Sequence, residues 1–146
     1  MTTPALLNSP DPSNRCFGCS LTNERGLRMA FVRGEEPGVV ECRYEAPPHL
    51  CGMAGVVHGG VQAALLDEAM GFAIHAGLGE DDGPIVTADF RLRYRRPVPT
   101  EAPIVVRGRM LRREGANVFV AGEILGADGR VCTEAEARWK RVTRKR

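Results

Sequence analysis

The longest apolar stretch of the chain runs from Val61 to Gly77. Its polar residues are only four: Gln62, Asp67, Glu68 and His75. A helix over this stretch would be apolar on nearly all sides, which is typical of a helix inside a fold. The pattern therefore predicts one long buried helix. Burial of the Asp67 carboxylate is costly unless that group has a partner or a task.

Alternating apolar and polar residues predict strands on both sides of this helix. Two strands precede it, at 27–31 and 40–44, and four follow it, at 86–94, 104–113, 117–125 and 131–139. In the segment 86–94 the alternation places Thr87 and Asp89 on the polar face. Most of the connections are tight turns, which join antiparallel neighbours. The sequence thus predicts an α+β fold, with a curved antiparallel sheet of about six strands wrapped around one long central helix.

The ends of the chain differ in composition from its body. Residues 1–14 contain three prolines together with Ser, Asn and Asp, which predicts a flexible N-terminal arm. Residues 143–146 form a basic tail. We expect a single domain over residues 15–142, since a chain of 146 residues is long enough for one substantial core.

Charge and cysteine usage narrow the functional classes. The net charge of +2 gives no support to nucleic-acid binding. No segment has the pattern of a signal peptide or the length needed to span a membrane. An odd count of five cysteines indicates reduced thiols, so we expect a cytoplasmic protein without a membrane partner.

Three motifs together carry a family resemblance. They are His58-Gly59-Gly60 followed by Asp67, the strand segment 87–98 (TADFRLRYRRPV), and Cys16-Phe17-Gly18-Cys19 followed by Asn23 and Gly26-Leu27. Over roughly residues 15–142 the chain resembles the hotdog-fold acyl-CoA thioesterases, in particular their phenylacetate-pathway (PaaI-like) branch. The resemblance implies hydrolysis of an aryl- or medium-chain acyl-CoA to free acid and coenzyme A, without a cofactor. It also implies a homodimer, or a tetramer built as a dimer of dimers.

The expected catalytic group is the carboxylate of Asp67, which matches the family's aspartate and would act as general base or nucleophile. Glu68 is the alternative carboxylate, but helix geometry turns it about 100° away from Asp67. Thr87 falls where relatives carry a Ser or Thr that holds the attacking water or the carboxylate; it could also be an ordinary strand threonine. Glu68 and His75 share a helix face, which makes a structural pair between them plausible.

The start of the helix is the expected oxyanion site. Its first N–H groups are unpaired and lie at the positive end of the helix dipole. Gly59 is the first candidate to polarise a thioester carbonyl, with Gly60 behind it. His58 shapes the helix entry or, less favoured, acts as a general base. Met53 would line an apolar tunnel for the acyl group.

Two further expectations concern substrate binding. Arg95 and Arg96 are candidates for the phosphates of coenzyme A, because guanidinium groups bind phosphate in a forked geometry. Relatives often place an Asn shortly before His-Gly-Gly to hold the thioester carbonyl, whereas this chain has Gly52 there. Backbone or water would then replace that donor, or turnover would be weak.

A metal site is not expected from the sequence. Cys16 and Cys19 have the spacing of a zinc or redox pair, but no second Cys-x-x-Cys or His-x-x-His pair accompanies them. We therefore expect no bound metal.

Two other functions remain open on this fold. A non-catalytic acyl-CoA binder or sensor is compatible with Gly52 in place of the Asn. An enoyl-CoA hydratase is disfavoured, because His58 has no Asp among the dozen residues before it.

Overall fold

A computed structural model describes residues 4–79 and 83–142. It contains one antiparallel sheet of six strands and one long helix. The elements are β1 (Val32–Arg33), β2 (Val39–Glu45), α1 (Gly59–Leu78), β3 (Ile85–Tyr94), β4 (Pro103–Glu114), β5 (Asn117–Leu125) and β6 (Val131–Arg141), with a short 3-10 helix (Pro48–Leu50) before α1. The prediction of about six antiparallel strands around one helix is confirmed.

The order of strands across the sheet is β1-β2-β4-β5-β6-β3. After α1 the chain enters β3 at one edge and then returns to the centre, where β4 pairs with β2. The hairpin turns predicted between β4, β5 and β6 are present, and each of these strands pairs with the next. As a result, β3 pairs only with β6 and its other side is an open edge within the chain.

The helix α1 fills the concave side of this sheet. Its buried apolar side chains are Leu65, Leu66, Ala69, Met70, Ala73 and Ile74. The approach to β4 is closest at Gly108, where a Cβ atom would collide with the backbone carbonyl of Ala69. Removal of these apolar side chains from water is the main force that holds helix and sheet together. Among the described residues, no helix has the length and apolarity needed to cross a membrane.

The prediction of a strand over residues 27–31 is wrong. Leu27, Met29 and Phe31 are buried as the alternation indicated, but the strand β1 is limited to Val32–Arg33. Arg28 has a φ of +53°, in the left-handed region, which interrupts an extended strand.

The backbone of this segment pairs with the preceding loop rather than with the sheet. The N–H groups of Leu27 and Met29 donate to the carbonyls of Phe17 and Gly18, at 2.7 and 2.9 Å. The apolar side chains of residues 27–31 are therefore buried by a loop and not by a strand. Alternation of apolar and polar residues does not distinguish these two cases.

Part of the predicted arm contacts the body of the fold. The N–H of Leu7 donates to the Phe31 carbonyl at 2.7 Å, and the Asn8 amide donates to the carbonyls of Cys19 and Met29. The Asn8 side-chain oxygen in turn accepts the N–H of Phe31. Residues 1–3 of the arm and the basic tail 143–146 lie outside the described residues.

Candidate active site

At the N-terminus of α1 the backbone donor of Gly59 is free among the described residues. His58 caps the helix, and its Nδ1 accepts the N–H of Gly60 at 2.9 Å. The N–H of Gly59, the first helical residue, has no hydrogen-bond partner among the described residues. Of the two glycines expected as donors, Gly60 is therefore engaged by the cap and Gly59 is available to a ligand.

The position of this N-terminus is fixed by a buried polar network that the sequence analysis missed. The Gln62 amide donates to the Val57 carbonyl at 3.0 Å, and its oxygen accepts the hydroxyl of Thr133 on β6. Both side chains are buried. The Tyr94 hydroxyl at the end of β3 also donates to the carbonyl of Gly59, at 2.9 Å. The only sequence signal for this network was one polar residue, Gln62, in an otherwise apolar helix turn.

A groove of about 390 Å³ opens beside this N-terminus. Its lining residues come from the loop before α1, from α1 itself and from the end of β3: Gly52, Met53, Val56, Val57, His58, Gly59, Gln62, Tyr94, Arg95, Arg96 and Pro97. Five of the predicted site residues thus meet in one place, namely Met53, His58, Gly59, Arg95 and Arg96. The groove combines an apolar wall, a free backbone donor and two guanidinium groups.

The two arginines at the groove are partly exposed and each faces one carboxylate. Arg95 pairs with Glu134 at 2.7 Å, and Arg96 lies 3.9 Å from Asp128. Their side chains remain 52% and 40% accessible, so these ion pairs are weak and a phosphate could compete for either guanidinium.

Gly52 places no side chain in the groove, and its N–H is already used. That N–H donates to the Val56 carbonyl at 3.0 Å within a tight turn. Gly52 has no side chain, and its backbone N–H is already bonded. It therefore cannot hold a carbonyl oxygen in the way expected of the Asn in relatives.

Asp67 lies two turns further along α1 and contacts β3. Its Oδ1 accepts the Thr87 hydroxyl at 2.7 Å. Partial burial raises the pKa of the Asp67 carboxyl, and the hydrogen bond from Thr87 acts in the opposite direction. The carboxylate is thus held in one orientation in a partly desolvated setting, which suits a general base or a nucleophile.

The side chain of Thr87 reaches Asp67 because β3 contains a bulge. Thr87 pairs with Trp139 and Asp89 pairs with Arg138, so Ala88 is an extra residue in the strand. A bulge of this kind shifts the alternation of faces by one position. Thr87 and Asp89 were predicted on the same polar face; instead Thr87 points to α1, whereas Asp89 points outward and pairs with Arg138 at 2.6 Å.

Glu68 does not share the position of Asp67. Its Oε1 accepts the thiol of Cys16 at 3.4 Å, and its side chain packs against the Cα of Gly18. The plausible pairing of Glu68 with His75 is wrong, because Glu68 turns to the loop 16–19 and His75 is exposed. Burial raises the pKa of the Glu68 carboxyl, and the neighbouring Asp67 charge adds to this effect.

The candidate site therefore consists of two separate parts in one chain. One part is the groove with the Gly59 N–H, and the other is the Asp67–Thr87 pair, whose residues do not line that groove. Both Gly59 and Asp67 belong to α1, so their backbones lie about 12 Å apart at a rise of 1.5 Å per residue.

Comparisons with known proteins identify the family of the chain. The thioesterase superfamily model matches residues 54–133, which is more than half of the chain. The acyl-coenzyme A thioesterase THEM4 of Rattus norvegicus is 29% identical over 112 residues, which cover 77% of this chain and 46% of that protein. The THEM4 protein of Mus musculus is 32% identical over 61% of this chain and 37% of its own length. The chain thus spans less than half the length of these curated relatives.

Solved structures show the same fold. The crystal structure of a thioesterase superfamily protein superimposes with a TM-score of 0.73 at 31% identity, covering 82% of this chain and 59% of that one. A phenylacetic acid degradation-related protein from Ralstonia eutropha JMP134 gives a TM-score of 0.68 at 28% identity, over 78% and 85% of the two chains. Since the family model covers more than half of the chain and the fold superimposes on these neighbours, the chain belongs to the thioesterase superfamily and has the hotdog fold.

Proposed function

We propose that the protein is an acyl-CoA thioesterase that hydrolyses an aryl- or medium-chain acyl-CoA to free acid and coenzyme A. The observation that carries the proposal is the partly buried Asp67 carboxylate, oriented by the Thr87 hydroxyl on the central helix. The names of the THEM4 relatives and of the Ralstonia protein support the reaction and an aryl acid as one substrate class.

In this proposal Gly59 polarises the substrate. The free N–H at the positive end of α1 donates to the thioester carbonyl oxygen and stabilises the negative charge that develops there. Arg95 and Arg96 at the rim of the groove bind phosphates of coenzyme A, and Met53 contacts the acyl chain.

Asp67 acts in one of two ways. As a base, it takes a proton from water, whose oxygen attacks the carbonyl carbon; the C–S bond then breaks and the proton passes to the coenzyme A thiolate. As a nucleophile, its own oxygen attacks and displaces the thiolate; water then hydrolyses the resulting anhydride to the free acid and the Asp67 carboxylate, and the proton released passes to the coenzyme A thiolate. Both routes need an ionised Asp67.

We further propose a homodimer in which each site uses both subunits. A thioester carbon must lie about 3 Å from both its attacker and the donors to its oxygen, which the separation of Gly59 and Asp67 in one chain prevents. The open edge of β3 carries the exposed apolar side chains of Val86 and Tyr94. Pairing of two β3 edges about a two-fold axis would cover them and bring Asp67 of one subunit to Gly59 of the other. A tetramer would be a dimer of such dimers.

The proposed setting is the cytoplasm, with acyl-CoA as the partner and neither nucleic acid nor membrane. All five cysteines are free thiols, which fits a reducing compartment.

A non-catalytic acyl-CoA binder is the second candidate. It is favoured by Gly52, which offers neither a side chain nor a free N–H where relatives often place an Asn. A binder would retain the groove and its arginines and would not need an ionised Asp67.

Turnover measurements separate the two candidates. We expect the native protein to release free thiol from members of a panel of aryl- and alkyl-CoA esters, and Asp67→Asn to lose about 10²–10⁴-fold in rate, the usual contribution of a general base. Asp89→Asn is the matched control on β3 and should retain turnover, because Asp89 points outward.

Other outcomes would change the assignment. Loss of turnover in Glu68→Gln with retention in Asp67→Asn would assign the catalytic carboxylate to Glu68. Tight binding of acyl-CoA by the native protein without turnover of any ester would favour the binder.

A further inference from the structure

Two thiols and a carboxyl group meet outside the catalytic parts of the molecule. The ligand atoms of Cys16, Cys19 and Glu68 all lie within 4.8 Å of one another. The cysteines belong to the loop before β1, whereas Glu68 belongs to α1, 52 positions after Cys16. The sequence analysis argued against a metal because the cysteine pair had no partner; the fold brings Glu68 to it as a third potential ligand.

The spacing of these atoms is close to that of a tetrahedral zinc site. Zinc lies about 2.3 Å from a thiolate sulfur and about 2.0 Å from a carboxylate oxygen. At the tetrahedral angle, sulfur and oxygen ligands are then about 3.5 Å apart and two sulfurs about 3.8 Å apart. The distance from the Cys16 sulfur to the Glu68 oxygen is 3.4 Å. The three atoms lie within 4.8 Å of one another, so side-chain shifts of up to about 1 Å are enough for them to share one ion.

The loop is shaped to present both sulfurs to the same point. The backbone N–H of Cys19 donates to the Cys16 sulfur at 3.4 Å, and the Asn14 amide lies 3.6 Å from the Cys19 sulfur. These two hydrogen bonds restrain the positions of both sulfurs. A side chain at Gly18 would collide with Glu68, so the turn can approach the helix only with glycine there.

The electrostatics of the cluster also favour a cation. Asp67 adjoins Glu68 on α1, and the two carboxyl groups interact electrostatically. Among the described residues, no Lys or Arg forms an ion pair with Glu68.

We propose that Cys16, Cys19 and Glu68 bind a thiophilic divalent cation, of which Zn²⁺ is the prime example, with water as the fourth ligand. The ion links the loop 16–19 to α1 at Glu68, next to Asp67. Binding releases protons from the thiols, so the apparent affinity rises with pH.

The test is metal binding by the full chain, purified under reducing conditions without added chelator and titrated with Zn²⁺ against a chromophoric chelator. We expect about one zinc per chain by elemental analysis. Cys16→Ser should abolish this binding and Glu68→Gln should weaken it about tenfold or more. Cys51→Ser is the matched control, since Cys51 is a partly buried thiol outside the cluster.

Substitution with Co²⁺ provides a readout that does not depend on folding stability or on turnover. The native protein should show a thiolate-to-cobalt charge-transfer band that is absent from Cys16→Ser. Zinc uptake by the native protein no greater than that of Cys16→Ser would overturn the proposal. Unchanged affinity in Glu68→Gln would contradict the three-ligand site, and formation of a Cys16–Cys19 disulfide without metal uptake would identify a redox pair instead.

Discussion

Two opposing effects act on the pKa of the Asp67 carboxyl. Burial raises the pKa of its carboxyl, whereas the hydroxyl of Thr87 donates a hydrogen bond to the ionised form and lowers it. A catalytic base works best with a pKa near the operating pH, provided that enough of it is ionised. The Thr87 hydroxyl therefore matters both for the orientation of the carboxylate and for the pH range in which it acts.

Replacement of Thr87 by Val tests this role, because Val keeps the shape of the side chain and removes the donor. Without that hydrogen bond the pKa of Asp67 rises further, so a larger fraction of the carboxyl is protonated at a given acidic pH. We expect the acid limb of the kcat/KM profile to move to higher pH and the plateau to fall about tenfold or more.

Thr87→Ser serves as the control for this experiment, since it retains the hydroxyl and should keep the native acid limb. An acid limb in Thr87→Val that coincides with the native one would mean that the carboxyl in contact with Thr87 is not the group that governs the rate.

At the scale of elements, periodicity was a good guide to regular structure and a poor one to local irregularities. The helix predicted over Val61–Gly77 is α1, extended by a few residues at its ends, because an apolar stretch of that length can be buried in only a few ways. The alternation at 27–31 reported burial correctly, but the left-handed Arg28 prevents a strand. The bulge at Ala88 likewise moves Thr87 to the other face. Both irregularities depend on backbone contacts with residues distant in sequence.

The same limit applies to the side chains of the candidate site. The sequence analysis assigned Met53, His58, Gly59, Arg95 and Arg96 to substrate binding or catalysis, and all five line the groove. Contacts of α1 with other parts of the fold, such as Gln62 with Thr133 and Glu68 with Cys16, were not predicted. Such contacts depend on how the helix packs against distant segments of the chain. The local pattern of apolar and polar residues carries no information about that packing.

The close packing of α1 on β4 leads to a prediction about stability. A methyl group at Gly108 would meet the backbone carbonyl of Ala69, which cannot move without a shift of the helix. We expect Gly108→Ala to lower the free energy of unfolding by about 3 kcal/mol, at the upper end for overpacked sites. Chemical denaturation of the native protein and the variant measures this loss.

Gly126→Ala is the matched control for Gly108→Ala. Its new methyl group would meet mainly the Asp128 side chain, which can rotate away, so the loss of stability should be much smaller. Equal losses in the two variants would show that the approach of α1 to β4 at Gly108 is not a special constraint.

At the scale of the whole molecule, the separation of the two parts of the candidate site is the reason for proposing a dimer with shared sites. The donor at Gly59 opens into the groove, and the carboxylate of Asp67 lies about 12 Å further along the same rigid helix. No rotation of side chains joins them. The strand β3 has an unpaired edge, and its last residue, Tyr94, donates a hydrogen bond to the Gly59 carbonyl. In the proposed dimer this edge is the surface through which the partner completes each site.

Complementation between two inactive variants tests this claim most directly. Asp67→Ala removes the carboxylate, and Gly59→Pro removes the backbone donor. Proline is well tolerated at the first position of a helix, and His58 before it already has the extended backbone, with φ −54° and ψ 136°, that a following proline requires. Each variant is first checked for native secondary structure and assembly.

The two variants are then mixed in equal amounts, and subunit exchange is followed with differently tagged chains. In a shared-site dimer the mixed species has one intact site and one that lacks both groups. Half of the dimers are mixed at random exchange, so the account predicts recovery of up to about a quarter of native activity from two inactive parents. Complete exchange without any recovered activity would contradict the shared site and would mean that each chain works alone.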